Sequence, residues 1–180
     1  MKSTFNLCIA LFTLMALSGC DKFKDQRFST TIPLVFEVDK AEGGELIVEM
    51  EEEITALLNE ELNAVRENIK SFELVSIKYK IWEFWGVEQT TFNGSLGIGK
   101  KNSTMPGVQY AFSDLNIMEG DANPAQVTMT FSAQDIEKIQ QYFMDTNGLS
   151  VFLNGSTSNA PIHFKLAIEV NIDAIAEVEK

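Results

Sequence analysis

From Phe28 to Asp39 apolar and polar residues alternate, with Phe28, Thr30, Ile32, Leu34, Phe36 and Val38 on one side and Ser29, Thr31, Pro33, Glu37 and Asp39 on the other. A period of two marks a half-buried strand, and Pro33 within it assigns an edge position or a bulge. Ala41-Glu42-Gly43-Gly44 ends the run. Between Glu51 and Lys70 the period changes: Ile54, Leu57, Leu58, Leu62, Val65 and Ile69 fall at helical spacing. Acids crowd the first turn, where the helix dipole favours them, so the stretch predicts an amphipathic helix. Phe72 to Trp85 returns to alternation, with Val75, Ile77, Tyr79 and Ile81 on one face and Trp82 and Phe84 on the other, beside Lys78 and Lys80.

Thr90 to Ile98 alternates again, with Asn93-Gly94 as a candidate bulge. Val108–Met118 and Gln126–Phe131 read as strands flanking a turn at Glu119–Pro124. Ser132-Ala133-Gln134-Asp135 has the form of a capping box. It opens a helix through Ile136, Ile139, Tyr142 and Phe143 that ends at Asn147-Gly148. Leu149–Leu153 and Pro161–Ile172 form a last pair of strands across a polar turn. The elements predict a mostly β (α+β) chain: an antiparallel two-sheet β-sandwich, immunoglobulin-like in architecture, with two inserted amphipathic helices in a single domain over 28–180.

Before that domain the pattern is different. Lys2 precedes an apolar stretch from Phe5 to Leu17, then the small pair Ser18-Gly19, then Cys20. This is the layout of a secretory signal peptide, and it is shorter than the roughly 20 apolar residues a membrane-spanning helix needs. Leu17-Ser18-Gly19-Cys20 resembles the lipobox of bacterial lipoproteins. The resemblance covers only these first residues, and it implies removal of 1–19 and a lipid on the Cys20 sulfur. Residues 20–27 then read as a lipidated cysteine and a short tether, whose seven residues after Cys20 span at most about 25 Å. The expected location is the cell envelope, anchored to a bacterial membrane. Asp21 resembles an inner-membrane retention signal of enterobacterial lipoproteins but lacks that meaning in other groups. The outer membrane is the favoured site, with its periplasmic or surface face left open.

Charge narrows the partners. The whole chain carries a formal −12, from 14 Lys and Arg against 26 Asp and Glu. Nucleic acid needs a basic footprint and is excluded as a partner. The two cysteines are Cys8, in the discarded segment, and Cys20, so the mature domain has no disulfide and no thiolate chemistry.

Gly94-Ser95-Leu96-Gly97-Ile98-Gly99-Lys100-Lys101 nearly spells a P-loop, but Lys101 replaces the Mg²⁺-binding hydroxyl and the glycines lie in a strand pattern. His163, the only histidine, falls on an outward strand position. Glu119, Asp121 and Asn123 alternate in a turn and are weak candidates for Ca²⁺; otherwise neither metal nor cofactor is expected. The most suggestive group is Trp82, Phe84 and Trp85, aromatic rings that could stack on a sugar or anchor a protein. The reading that follows is a non-enzymatic, lipid-anchored binding or assembly module for a protein or glycan partner near the membrane. Its alternatives are an envelope hydrolase using carboxylates and a structural subunit of a surface assembly.

Overall fold

The structure, a computed structural model, describes residues 23–41, 46–55 and 60–179. Among the described residues eight strands run in chain order: β1 (Phe23–Lys40), β2 (Leu46–Thr55), β3 (Ile69–Gly86), β4 (Thr91–Lys100), β5 (Val108–Asn116), β6 (Val127–Thr128), β7 (Gly148–Thr157) and β8 (Ile162–Glu179). The described α-helices between them are α1 (Glu60–Val65), α2 (Ile117–Ala122) and α3 (Ala133–Thr146). The strands form two antiparallel four-stranded sheets, ordered β1-β8-β3-β6 and β2-β7-β4-β5. First pairs with last, second with seventh, third with sixth and fourth with fifth, as in a long hairpin folded over on itself. That nesting is the eight-stranded jelly-roll form of the β-sandwich. The two-sheet sandwich expected from the sequence is present, but an immunoglobulin order, in which the first two strands share a sheet, is not: β1 and β2 lie in different sheets.

Alternation dictates the core. Ile32, Leu34, Phe36 and Val38 of β1 and Phe164, Leu166, Ile168, Val170 and Ile172 of β8 face inward and are buried. Leu96 and Ile98 of β4 and Leu149, Val151 and Leu153 of β7 meet them from the other sheet. Pro33 lies on an edge strand, where its missing N–H breaks no ladder. The ladder between β4 and β5 shifts register between Phe92 and Gly94, a bulge at the Asn93-Gly94 pair. Helix α3 starts as its sequence predicts, with Ser132 Oγ accepting from the Asp135 N–H at 3.1 Å. It ends at Asn147, whose φ of 50° is left-handed, and it buries Ile139 and Phe143 between the sheets.

Several expectations are corrected. The amphipathic helix over Glu51–Lys70 is not one unit: among the described residues Glu51–Thr55 belongs to β2, α1 spans Glu60–Val65, and a 3-10 turn, Arg66–Asn68, leads into β3. The acid run sits on an edge strand, where charge discourages pairing with another chain. Phe23–Arg27, read from the sequence as part of a tether, pairs with Ile175–Glu179 as the start of β1. Val75 turns outward, 56% exposed, because β3 shifts register between Leu74 and Ser76. Ile117 and Met118 belong to α2 rather than to a strand. The polar run Asn154–Thr157 continues β7, and β8 extends to Glu179. The signal segment and Cys20 lie outside the described residues.

Candidate functional site

The outer face of the first sheet is a ladder of cross-strand rows from β1, β8 and β3. Glu37, Lys165 and Trp82 share one row, and Asp39, His163 and Trp85 share the next. Strict alternation would send Trp82 and Phe84 to one side and Trp85 to the other. Instead Glu83 takes a φ of 55°, and the ladder with β8 shifts register between Trp82 and Trp85. The extra residue restarts the alternation. Trp82 and Trp85 both emerge on the outer face, while Phe84 packs against the core.

The three aromatics therefore meet three fates. Phe84 fills space inside. Trp82, 36% exposed, has the Lys80 ammonium 5.3 Å and the Lys165 ammonium 5.7 Å from its ring centre. Cations over an indole are held by its ring quadrupole. Lys165 is further held by Glu83, Nζ to Oε2 at 2.6 Å, and this hydrogen bond raises the Lys165 pKa above its ordinary value. Trp85 is 63% exposed and leaves its ring open to solvent.

Its seat is built from backbone. Gly86 has a φ of 146°, a region that side chains strain to reach, and a Cβ there would stand 2.5 Å from the Pro161 carbonyl oxygen. The Val87 N–H donates to that same oxygen at 3.2 Å. The β3–β4 and β7–β8 connections are thus stitched together directly beside the indole.

His163 is the cross-strand partner of Trp85. Its Nδ1 lies 4.0 Å from Asp39 Oδ2, beyond hydrogen-bond reach, so the pair is not the oriented base of a catalytic triad. A broad depression of about 510 Å³ lies lower on the same sheet, lined by Ser29, Thr31, Asn171 and Asp173. Asp173 accepts from Ser29 and from Arg27, and these bonds lower its pKa. A carboxyl so held stays ionised and makes a poor general acid.

The P-loop-like run is a packing device. The Met105–Gly107 stretch folds back onto β4: a Cβ on Gly97 would stand 2.5 Å from Pro106 Cβ, and one on Gly99 2.8 Å from the Met105 carbonyl oxygen. No helix follows, so the phosphate cradle of a P-loop does not form. The expected turn at Glu119–Pro124 is largely α2. Asn116 caps it by accepting from the Glu119 N–H at 3.0 Å. Helical spacing turns Asp121 away from Glu119, so the alternating oxygens expected for Ca²⁺ do not converge. Among the described residues, no group of three or more His, Cys, Asp or Glu is placed to hold a metal ion.

The residues that flank Trp82, namely Lys80, Lys165 and Glu83, complete the site. Lys165 is 83 positions away in sequence, and only the register of β8 against β3 brings it there.

No known protein family matches this chain, and no curated protein matches it. Among solved structures it is similar to that of Desmodium yellow mottle tymovirus, at 10% identity and a TM-score of 0.44, covering 87% of this chain and 85% of that one. It is similar also to that of tobacco necrosis virus, at 10% identity and a TM-score of 0.42, covering 87% of this chain and 98% of the other. The two-sheet architecture rests on the strand pairings and not on these remote likenesses.

Proposed function

We propose that this is a non-enzymatic, lipid-anchored module of the bacterial cell envelope that binds a glycan or protein partner through the outer face around Trp85. Immunoglobulin-like describes only its two-layer build; the strand order favours the jelly roll. The single observation that carries the proposal is the open indole of Trp85, set on a rigid strand end beside a second indole held under two lysines. An exposed tryptophan on a firm scaffold offers a large flat apolar surface with one polar edge, the kind of group that anchors binding interfaces. The lipobox supports placement at a membrane, with Cys20 as the lipid carrier.

The test uses the chain from Cys20 onward, which contains every described element. Its binding to glycan and protein fractions of its own envelope is compared with that of the Trp82→Ala/Trp85→Ala variant. Loss of a central aromatic anchor costs about 2 kcal/mol or more, a roughly 30-fold weakening. Full retention of binding by the variant overturns the site.

A further inference from the structure

We infer that the body stands on the Phe23 end of its first sheet and holds Trp85 at the far end, away from the bilayer, to meet a partner outside the headgroup layer. The inference rests on the lipid anchor at Cys20 and adds the direction in which the binding face points.

The pairing of β1 with β8 runs without a slip from Phe23 opposite Glu179 to Lys40 opposite Ile162. Asp39, in the same row as His163 and Trp85, is therefore sixteen residues along an unbroken strand from Phe23. At about 3.3 Å per residue that is roughly 50 Å of strand. Only Asp21 and Lys22 separate Cys20 from Phe23, and three such steps reach at most about 11 Å. The Phe23 end is thus confined near the lipid, and Trp85 is not.

Two features keep the strand upright. At the base, Lys70 of β3 bonds Asp25 of β1 at 2.7 Å and Glu177 of β8 at 3.1 Å. Arg27 of β1 pairs with Asp173 of β8 and with Glu73 of β3. These pairs tie three strands into one plank, so the base moves as a unit. Lying on this outer face would press Glu37, Asp39, Glu73, Glu83, Glu169 and Asp173 against the bilayer, acids that outnumber the Arg27, Lys78, Lys80 and Lys165 interspersed among them. For a chain of formal charge −12, anionic headgroups oppose that.

The chain contains two tryptophans, Trp82 and Trp85, and both lie at the proposed far end, so its own fluorescence reports the posture. The chain from Cys20 onward has a single thiol, which is coupled to a maleimide phospholipid in phosphatidylcholine–phosphatidylglycerol vesicles that carry nitroxide headgroups. The posture predicts tryptophan emission unaffected by the nitroxide lipid and quenched by aqueous acrylamide as fully as in the uncoupled domain. Quenching by the nitroxide, or protection from acrylamide, overturns it. A second chain with Trp82→Phe, Trp85→Phe and Phe23→Trp moves the reporter to the base, where strong nitroxide quenching is expected and its absence contradicts the proposal. Because the lipid is attached chemically, the result is independent of whether cells acylate Cys20.

Discussion

The rings of Phe72 and Phe143 stack with centroids 4.1 Å apart and planes 8° from parallel. This contact helps fasten α3 to the base of β3. Both residues are buried, Phe72 at 4% and Phe143 at 1% exposure.

Removing the helix half of that stack leaves a cavity that rigid strands cannot fill. Phe143→Ala is expected to lower unfolding free energy by about 3–5 kcal/mol, the range for large-to-small changes at aromatic core positions. Urea denaturation with an unchanged slope checks it. Met144→Ala, one residue along on the exposed side of α3, is expected to stay within about 0.5 kcal/mol of the parent.

Asp173 gives the fold a defined acid sensitivity. Its native pKa is lowered by hydrogen bonds from Ser29 and Arg27. The folded state thus favours the ionised form more than the unfolded chain does. The stability this contributes is present above the ordinary carboxylate value of about 3.9 and is lost as pH falls through the lowered native value. Asp173→Asn is expected to be less stable than the parent at neutral pH, with the gap narrowing as pH drops below about 4. Denaturation midpoints of both proteins across that range supply the check, and a constant gap contradicts the assignment.

Cys20 carries the proposed anchor. Bacteria expressing the chain and fed labelled palmitate should incorporate label into the parent and none into Cys20→Ala, with the variant leaving the membrane fraction. Two or more acyl chains hold stably where one does not, so the parent should resist extraction by salt. Label retained by Cys20→Ala would remove lipid attachment from the account.

Much of the fold was legible because period-two runs are direct consequences of one-sided burial. β1, β3, β4 and the core of β8 could be read this way, and α3 carried its own start signal at Ser132 and its own stop at Asn147. β2 was hidden: Glu49, Glu51, Glu52 and Glu53 are poor strand residues, and their place in a strand is imposed by pairing with β7. Ile54, Leu62, Val65 and Ile69 matched a helical period by coincidence across three elements, β2, α1 and β3. The strand nesting was illegible too, since alternation fixes faces and not partners. Within the site, Trp82 and Trp85 stood out by residue type. Their shared face did not, because the restart at Glu83 depends on a left-handed backbone step with no marker in side-chain chemistry. Lys80 was legible two residues before Trp82 on the same strand, but Lys165 over the ring required the register of β8 against β3, which no local pattern encodes.

The central claim is that Trp85 is the ring a partner covers. In the Trp82→Phe protein Trp85 is the sole tryptophan, excited selectively at the red edge of the absorption band, and it can be titrated with glycan or protein fractions purified from the same envelope while calorimetry follows binding. The account predicts a saturable shift of Trp85 emission to shorter wavelength that tracks the calorimetric isotherm. Saturable binding with Trp85 emission unchanged would contradict it.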